Sequence, residues 1–320
     1  MLLNDTADQI RSMEIRGAGR IARAAAGALR DYAAGREDQE MSAFRRAMRE
    51  AAAVLLETRP TAVSLPNAVQ YVMRSFAEAS TPEEAKAAIR SAADSFILSS
   101  HHAVEWIGEI GARHISDGDR ILTHCNSEAA LACILTAHRQ GKEIEVVATE
   151  VRPRNQGLLT IRTLNDAGIR TEYIVDSAVR TFINDADLVI TGSDAITVNG
   201  AVVNKIGTSQ IALAAHEART NMIVAAETYK FAPRTILGER IAIEERGAEE
   251  VLDPAIAAGL PNVTVRNPAF DVTPASYVDL IVTEMGAIPP VMACIIIRDH
   301  LGWGIEEFHK AFEIDSSTQE

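Results

Sequence analysis

The side chains best suited to moving protons in this sequence are Cys125 and Asp194. Cys125 stands in Thr123-His124-Cys125-Asn126-Ser127-Glu128, between an apolar run at 120–124 and a helical pattern at 128–140. Asn126 or Ser127 is a good N-cap for that helix. A thiol there sits beside unsatisfied backbone N–H groups and the positive end of a helix dipole. That setting lowers a thiol pKa and favours an accessible thiolate. The competing reading is a buried structural cysteine. Asp194, in Gly192-Ser193-Asp194-Ala195, follows a second apolar run at 187–191. If both runs are strands of one parallel sheet, thiol and acid face the same crevice. A capping or solvated aspartate is the alternative.

The other cysteines read as packing. Cys133 lies inside an apolar helix and Cys294 in Val291-Met292-Ala293-Cys294-Ile295-Ile296. None of the spacings suits a zinc site. His124 and Cys125 are neighbours on a strand and point to opposite faces, which argues against a hydrolase dyad.

Basic residues gather in loops after strands. Glu150-Val151-Arg152-Pro153-Arg154-Asn155-Gln156-Gly157 joins two arginines and an amide to a helix start, a plausible anion site. Asn204 and Lys205 precede another helix, and Lys230 follows a later strand. Arg16-Gly17-Ala18-Gly19-Arg20 has the spacing of a dinucleotide fingerprint, but no strand precedes it, so a nicotinamide site is rejected. A Gly-rich turn into a helix still offers N–H groups to a phosphate. Arg59, in Arg59-Pro60-Thr61-Ala62-Val63, marks a second basic patch.

The elements that must position these residues fall into two kinds. Residues 1–115 read as helices, with an Ala-rich run from Ile21. Ser80-Thr81-Pro82-Glu83-Glu84 reads as a helix start, with a hydroxyl cap, an early proline and acids at the positive end. From 116 to 320 short apolar runs alternate with helical stretches. Strands are expected at 120–124, 143–148, 171–175, 187–191, 222–226 and 278–282. Helices are expected at 128–140, 158–167, 178–183 and 208–218. The alternation implies an α/β fold whose mostly parallel sheet carries helices on both faces.

Composition bounds the function. The 320 residues are 47% hydrophobic and 23% charged, as in an ordinary globular chain. The net charge of −13 disfavours nucleic acid as partner, since non-specific binding needs a positive stripe. No stretch has the roughly 18 apolar residues needed to span a bilayer. The acidic start lacks a signal-peptide core, so a cytoplasmic location is expected.

Taken together, RPTAV at 59–63, THCN at 123–126, RPRNQG at 152–157, GSD at 192–194, NKIGT at 204–208 and FDVTP at 270–274 resemble one superfamily. It joins methylthioribose-1-phosphate isomerases, ribose-1,5-bisphosphate isomerases and regulatory subunits of a translation initiation exchange factor. RGAGRIARAAA at 16–26 makes the chain more similar to the archaeal ribose-1,5-bisphosphate isomerases. The resemblance implies an N-terminal helical domain (1–115) followed by a Rossmann-like catalytic domain (116–320).

It also implies that Cys125 and Asp194 are catalytic. Arg16, Gly17, Ala18, Arg59, Asn126, Arg152, Gln156, Asn204, Lys205 and Lys230 would contact a sugar bisphosphate. The implied reaction turns ribose 1,5-bisphosphate into ribulose 1,5-bisphosphate during archaeal AMP breakdown, without metal or nicotinamide. A homo-hexamer built as a trimer of dimers is implied too, and the pathway makes AMP a candidate activator. The competing readings are a 5-methylthioribose-1-phosphate isomerase and a noncatalytic regulatory subunit. Chemically, an acid must protonate the ring oxygen while a base removes the proton at C2. Asp194 is expected to handle oxygen-bound protons and Cys125 the carbon-bound one.

Overall fold

The structure is a computed structural model that describes residues 3–59 and 63–301. The chain divides into two compact units, residues 1–104 and 105–320. No helix among the described residues is long and apolar enough to cross a membrane.

The first unit is helical throughout. Its elements are α1 (Leu3–Arg11), α2 (Ala18–Ala34), α3 (Met41–Leu56), α4 (Ser64–Arg74) and α5 (Pro82–Ala112), which runs across the unit boundary. Helix α2 forms because alanines dominate it, and it buries a stripe through Ile21, Ala22, Ala25, Ala26, Leu29 and Ala33. It packs chiefly on α4. Its N-cap Gly17 has φ 92°, a left-handed conformation that suits glycine. Helix α5 starts as the sequence predicts: Thr81 Oγ1 accepts from Glu84 N at 3.2 Å, and Glu84 Oε2 accepts from Ser80 N at 2.9 Å. It then runs unbroken to Ala112.

In the second unit the chain runs β1 (Arg120–His124), α6 (Glu128–Arg139), β2 (Glu145–Thr149), α7 (Gly157–Asp166), β3 (Arg170–Ile174), α8 (Val179–Phe182) and β4 (Leu188–Gly192). It continues with β5 (Ala195–Ile196), β6 (Val202–Lys205), α9 (Thr208–Ala218), β7 (Asn221–Ala225), α10 (Pro254–Ala257), β8 (Phe270–Thr273), β9 (Leu280–Thr283), β10 (Gly286–Ile288) and α11 (Ala293–Ile295). Seven strands form one sheet in the order β10-β9-β7-β4-β1-β2-β3. All its pairings are parallel except β9 with β10.

Successive strand residues feed two cores. Leu122, Val147, Val189, Val224 and Ile281 pack with Ile211 and Ala215 of α9 on one face. Ile121, Val146, Ile190, Ile223 and Val282 pack with Ile134 and Ala137 of α6 on the other. Burial on both faces explains why these strands read as continuous apolar runs. Fully burying each such side chain stabilises the fold by about 1.5–3 kcal/mol.

The structure adds what the sequence pattern did not suggest. Strands β5, β6 and β8 form a second, antiparallel sheet in the order β5-β6-β8. The helix expected at 178–183 is one short turn flanked by 3₁₀ segments. Cys294, read as core, is exposed, because its short helix presents that side outward; Cys133 is buried as expected.

Candidate active site

The central strand β1 pairs with β2 on one side and β4 on the other. The chain leaves β1 for β2 and β3, then returns to the other side as β4. The carboxyl ends of β1 and β4 therefore form a topological switch point, where a doubly wound sheet opens a crevice for ligands. Cys125 immediately follows β1, and Asp194 lies two residues beyond β4.

Local structure sets the thiol. Cys125 leaves the strand with φ 68°, uncommon for a residue bearing a side chain. Ser127, one of the two expected caps, holds the start of α6 through its Oγ, which accepts from Ala130 N at 3.2 Å. Thr160 of α7 donates to the Cys125 carbonyl at 2.7 Å and lies 3.2 Å from Asn126 Oδ1. The thiol itself donates towards Gln156 Oε1 at 3.8 Å.

The electrostatics overturn the expected thiolate. Desolvation by burial pushes the Cys125 thiol up to about 11, although the residue as a whole keeps some surface. The nearby Lys205 ammonium and the Asn126 N–H pull the other way, while the charges of Asp194 and Asp176 add to the rise. The helix end is present, but it does not outweigh desolvation and two carboxylates. Cys125 is thus a neutral thiol at neutral pH.

His124 is structural, as its strand position suggested. It is 1% exposed, with Nδ1 2.6 Å from Thr149 Oγ1 and Nε2 2.9 Å from the Ile206 carbonyl oxygen. A carbonyl only accepts, so Nε2 carries the proton and Nδ1 accepts from the threonine. Burial lowers its pKa, consistent with that neutral tautomer.

Asp194 is partly buried, and its N–H donates to the Val203 carbonyl at 2.9 Å. That bond ties the end of β4 to the small sheet. Lys205, at the end of β6, is 9% exposed, with its ammonium 4.7 Å from the Phe270 ring centroid. Asn204 is buried, and its amide donates to Thr208 Oγ1 at 2.9 Å, bracing α9. Arg152 is exposed, and with Arg154, Gln156, Lys205, Arg246 and Asn267 it walls a pocket. Glu250 answers two of these cations, Arg154 at 2.5 Å and Arg246 at 3.2 Å.

Lys230 is in a different situation from an open phosphate ligand. It is buried, and its ammonium lies 2.6 Å from Glu227 Oε2. Tyr229 donates to the other carboxylate oxygen at 2.9 Å. Burial alone would raise the Glu227 pKa, but the Lys230 charge and hydrogen bond outweigh it and hold the acid ionised.

The remaining expected ligands belong to the first unit. Arg16 is exposed, Gly17 is the N-cap of α2 and Ala18 its first residue. Arg59 Nη1 approaches Met13 Sδ at 2.8 Å, so the segment before Arg16 and the residues just after α3 meet. Residues 60–62 of the basic patch around Arg59 lie outside the described residues.

Two acids escaped the sequence reading. Asp271 Oδ2 accepts from Gly207 N at 2.8 Å, and both its carboxylate oxygens accept from Ser209 N at 3.1 Å, capping α9 from β8. Asp176 accepts from two backbone N–H groups of the loop after β2. Asp176 comes just after β3, in the same kind of post-strand position as Cys125 and Asp194.

Fold and site together define a doubly wound α/β protein with a neutral thiol and a carboxylate at its switch point and cations nearby. Comparison with known proteins agrees. The initiation factor 2 subunit family matches residues 14–290. Ribose 1,5-bisphosphate isomerase of Methanocaldococcus jannaschii is 54% identical over 302 residues, 94% of this chain and 96% of that one. The protein of the same name from Archaeoglobus fulgidus is 56% identical over 304 residues, 95% of each chain. Among solved structures, translation initiation factor eIF-2B of Pyrococcus horikoshii OT3 superposes with a TM-score of 0.77 at 34% identity, covering 90% of this chain and 97% of that one. This chain belongs to the initiation factor 2 subunit family.

Proposed function

We propose that this protein is an isomerase that converts ribose 1,5-bisphosphate to ribulose 1,5-bisphosphate. The observation that carries the reading is the placement of Cys125 and Asp194 at the ends of adjacent strands β1 and β4, with the Asp194 charge raising the Cys125 pKa. Near full-length kinship with isomerases of that name supports the substrate.

The neutral thiol shapes the chemistry. At neutral pH the pair holds one mobile proton, resting on sulfur. Passing it from Cys125 to Asp194 makes a thiolate base and a carboxylic acid in one step. The thiolate then removes the C2 proton as the C1–C2 double bond forms and the bond from C1 to the ring oxygen breaks. Asp194 protonates that oxygen. The product is an enol phosphate with its C2 hydroxyl intact. Asp194 next takes the hydroxyl proton, and the Cys125 thiol returns a proton to C1. The ketose forms, and Asp194 passes its proton back to the Cys125 thiolate, which restores both starting states. Gln156, beside the thiol, would orient it, and Lys205 would steady the charge that develops. Arg16, Gly17, Ala18, Arg59, Asn126, Arg152, Asn204 and Lys230 complete the proposed substrate contacts. Binding through Lys230 would draw on an ammonium already held by Glu227.

The resemblance further supports a cytoplasmic homo-hexamer, a trimer of dimers, working in AMP breakdown, and that pathway makes AMP a candidate activator. The test is a phosphorus and proton NMR time course. Purified protein and its Cys125→Ser variant are given ribose 1,5-bisphosphate or 5-methylthioribose 1-phosphate. Conversion of the bisphosphate alone, lost in the variant, is the expected result. Conversion of the methylthio sugar alone would reassign the substrate. Silence on both would favour a noncatalytic regulatory subunit.

A further inference from the structure

We propose that Asp176 is a positioning residue of this site: its carboxylate clamps the strained turn that sets Arg152 on the pocket wall and Gln156 beside the Cys125 thiol. The inference rests on the isomerase reading above.

The turn begins where β2 runs out of partners. The parallel ladder with β3 extends one step past the strand, Glu150 N donating to the Ile174 carbonyl at 2.9 Å. The next two N–H groups have no strand to meet. Val151 N donates to Asp176 Oδ1 at 2.9 Å and Arg152 N to Asp176 Oδ2 at 2.8 Å. One carboxylate thus takes both donors, with one oxygen for each.

The clamp holds a conformation the sequence would not choose. Val151 is β-branched, 1% exposed and has φ 63°. That region is unfavourable for such a residue and persists only where the surroundings enforce it. The far end of the turn is equally fixed. Gly157 N donates to the Glu150 carbonyl at 3.2 Å, and a Cβ on Gly157 would lie 2.0 Å from the Thr149 carbonyl oxygen. Between these fixed points lie Arg152, on the pocket wall, and Gln156, 3.8 Å from the Cys125 sulfur. Freeing Val151 and Arg152 from Asp176 would release the segment that sets where the Gln156 amide sits.

The test is a double-mutant cycle between Asp176→Asn and Gln156→Ala on the full chain, read as kcat and KM for ribose 1,5-bisphosphate. Asparagine offers one acceptor, and its NH₂ would oppose one of the two backbone donors. Asp176→Asn is expected to lower kcat about tenfold or more, as misplacement of a positioning group does. In the Gln156→Ala background the same substitution should cost less than about twofold, because coupled groups are not additive. Equal losses in both backgrounds, or near-normal turnover in Asp176→Asn, would overturn the proposal. Hydrogen exchange on the unaltered protein guards against a variant that does not fold. The Val151 and Arg152 amides should exchange about 100-fold or more slower than unbonded loop amides; random-coil exchange there refutes the clamp. If the unaltered protein turns over no bisphosphate, the isomerase reading fails, and the exchange result still decides the clamp.

Discussion

Gly192 and Ser127 approach so closely that a Cβ on the glycine would fall 2.2 Å from Ser127 Oγ and 2.4 Å from its Cβ. The end of β4 and the turn from β1 to α6 therefore share a space that only a hydrogen side chain fits. This contact brings the loop bearing Asp194 against the one bearing Cys125. Gly192→Ala should lower stability by about 1–3 kcal/mol, as overpacking does, and reduce turnover with it. Ser127→Gly removes both clashing atoms, so the double variant should melt higher than Gly192→Ala alone. An unchanged melting temperature in Gly192→Ala would mean that Ser127 yields without cost.

Cys125→Ser and Asp194→Asn should each reduce turnover by about 10²–10⁴-fold, the worth of one acid–base group. Neither replaces a packed apolar side chain, so circular dichroism and melting temperature should be preserved. Near-normal rates in either variant would remove that residue from the mechanism.

The thiol's raised pKa has a direct readout. In a Cys294→Ser background, which removes the exposed cysteine, Cys125 alkylation by iodoacetamide should still accelerate with pH beyond about pH 9, because the thiolate is the nucleophile. The driving value is a thiol pushed up to about 11. A rate that levels off near neutrality would restore the helix-activated thiolate the sequence suggested.

Asp271 gives stability a pH dependence of known sign. Burial pushes its carboxyl up to about 6, above the ordinary 3.8, although Gly207 and Ser209 N–H groups favour the charged form. An acid whose folded pKa is raised binds its proton more tightly when folded. Its contribution is full below about pH 4 and is lost as pH rises through about 6. Asp271→Asn cannot ionise. Wild type should therefore lose melting temperature relative to this variant between about pH 4 and pH 7, and a difference that stays flat across that window would contradict the assignment.

How much of this was legible in the chain depends on how local each signal was. The helix expected at 208–218 is α9, Thr208–Ala218, because its apolar spacing lies within the segment. Strand β1 matches the expected 120–124, and the other parallel strands of the large sheet fall within two residues of expectation, whereas the antiparallel edge strand β10 was not expected. Apart from the edge strand β3, the runs of the parallel strands are apolar because both faces are buried, and that shows in any window of sequence. Strands β5 and β6 have two and four residues, and β6 pairs with β8 some 65 positions on. No local pattern announces such a pairing.

The site divides the same way. Sequence by itself determined that a cysteine and an aspartate follow strands, that arginines and an amide follow another, and that Lys205 precedes a helix. Strand order decided that the thiol and the acid stand on neighbours, since paired residues of β1 and β4 lie 67 positions apart in sequence. Tertiary packing also decided the protonation of Cys125, because desolvation and the charges of Asp176 and Asp194 come from segments distant in sequence. It paired Lys230 with Glu227 in a buried contact and left Cys294 at the surface. Chain order fixes which groups are available. Their burial and their neighbours, which set pKa and reach, exist only once the sheet is assembled.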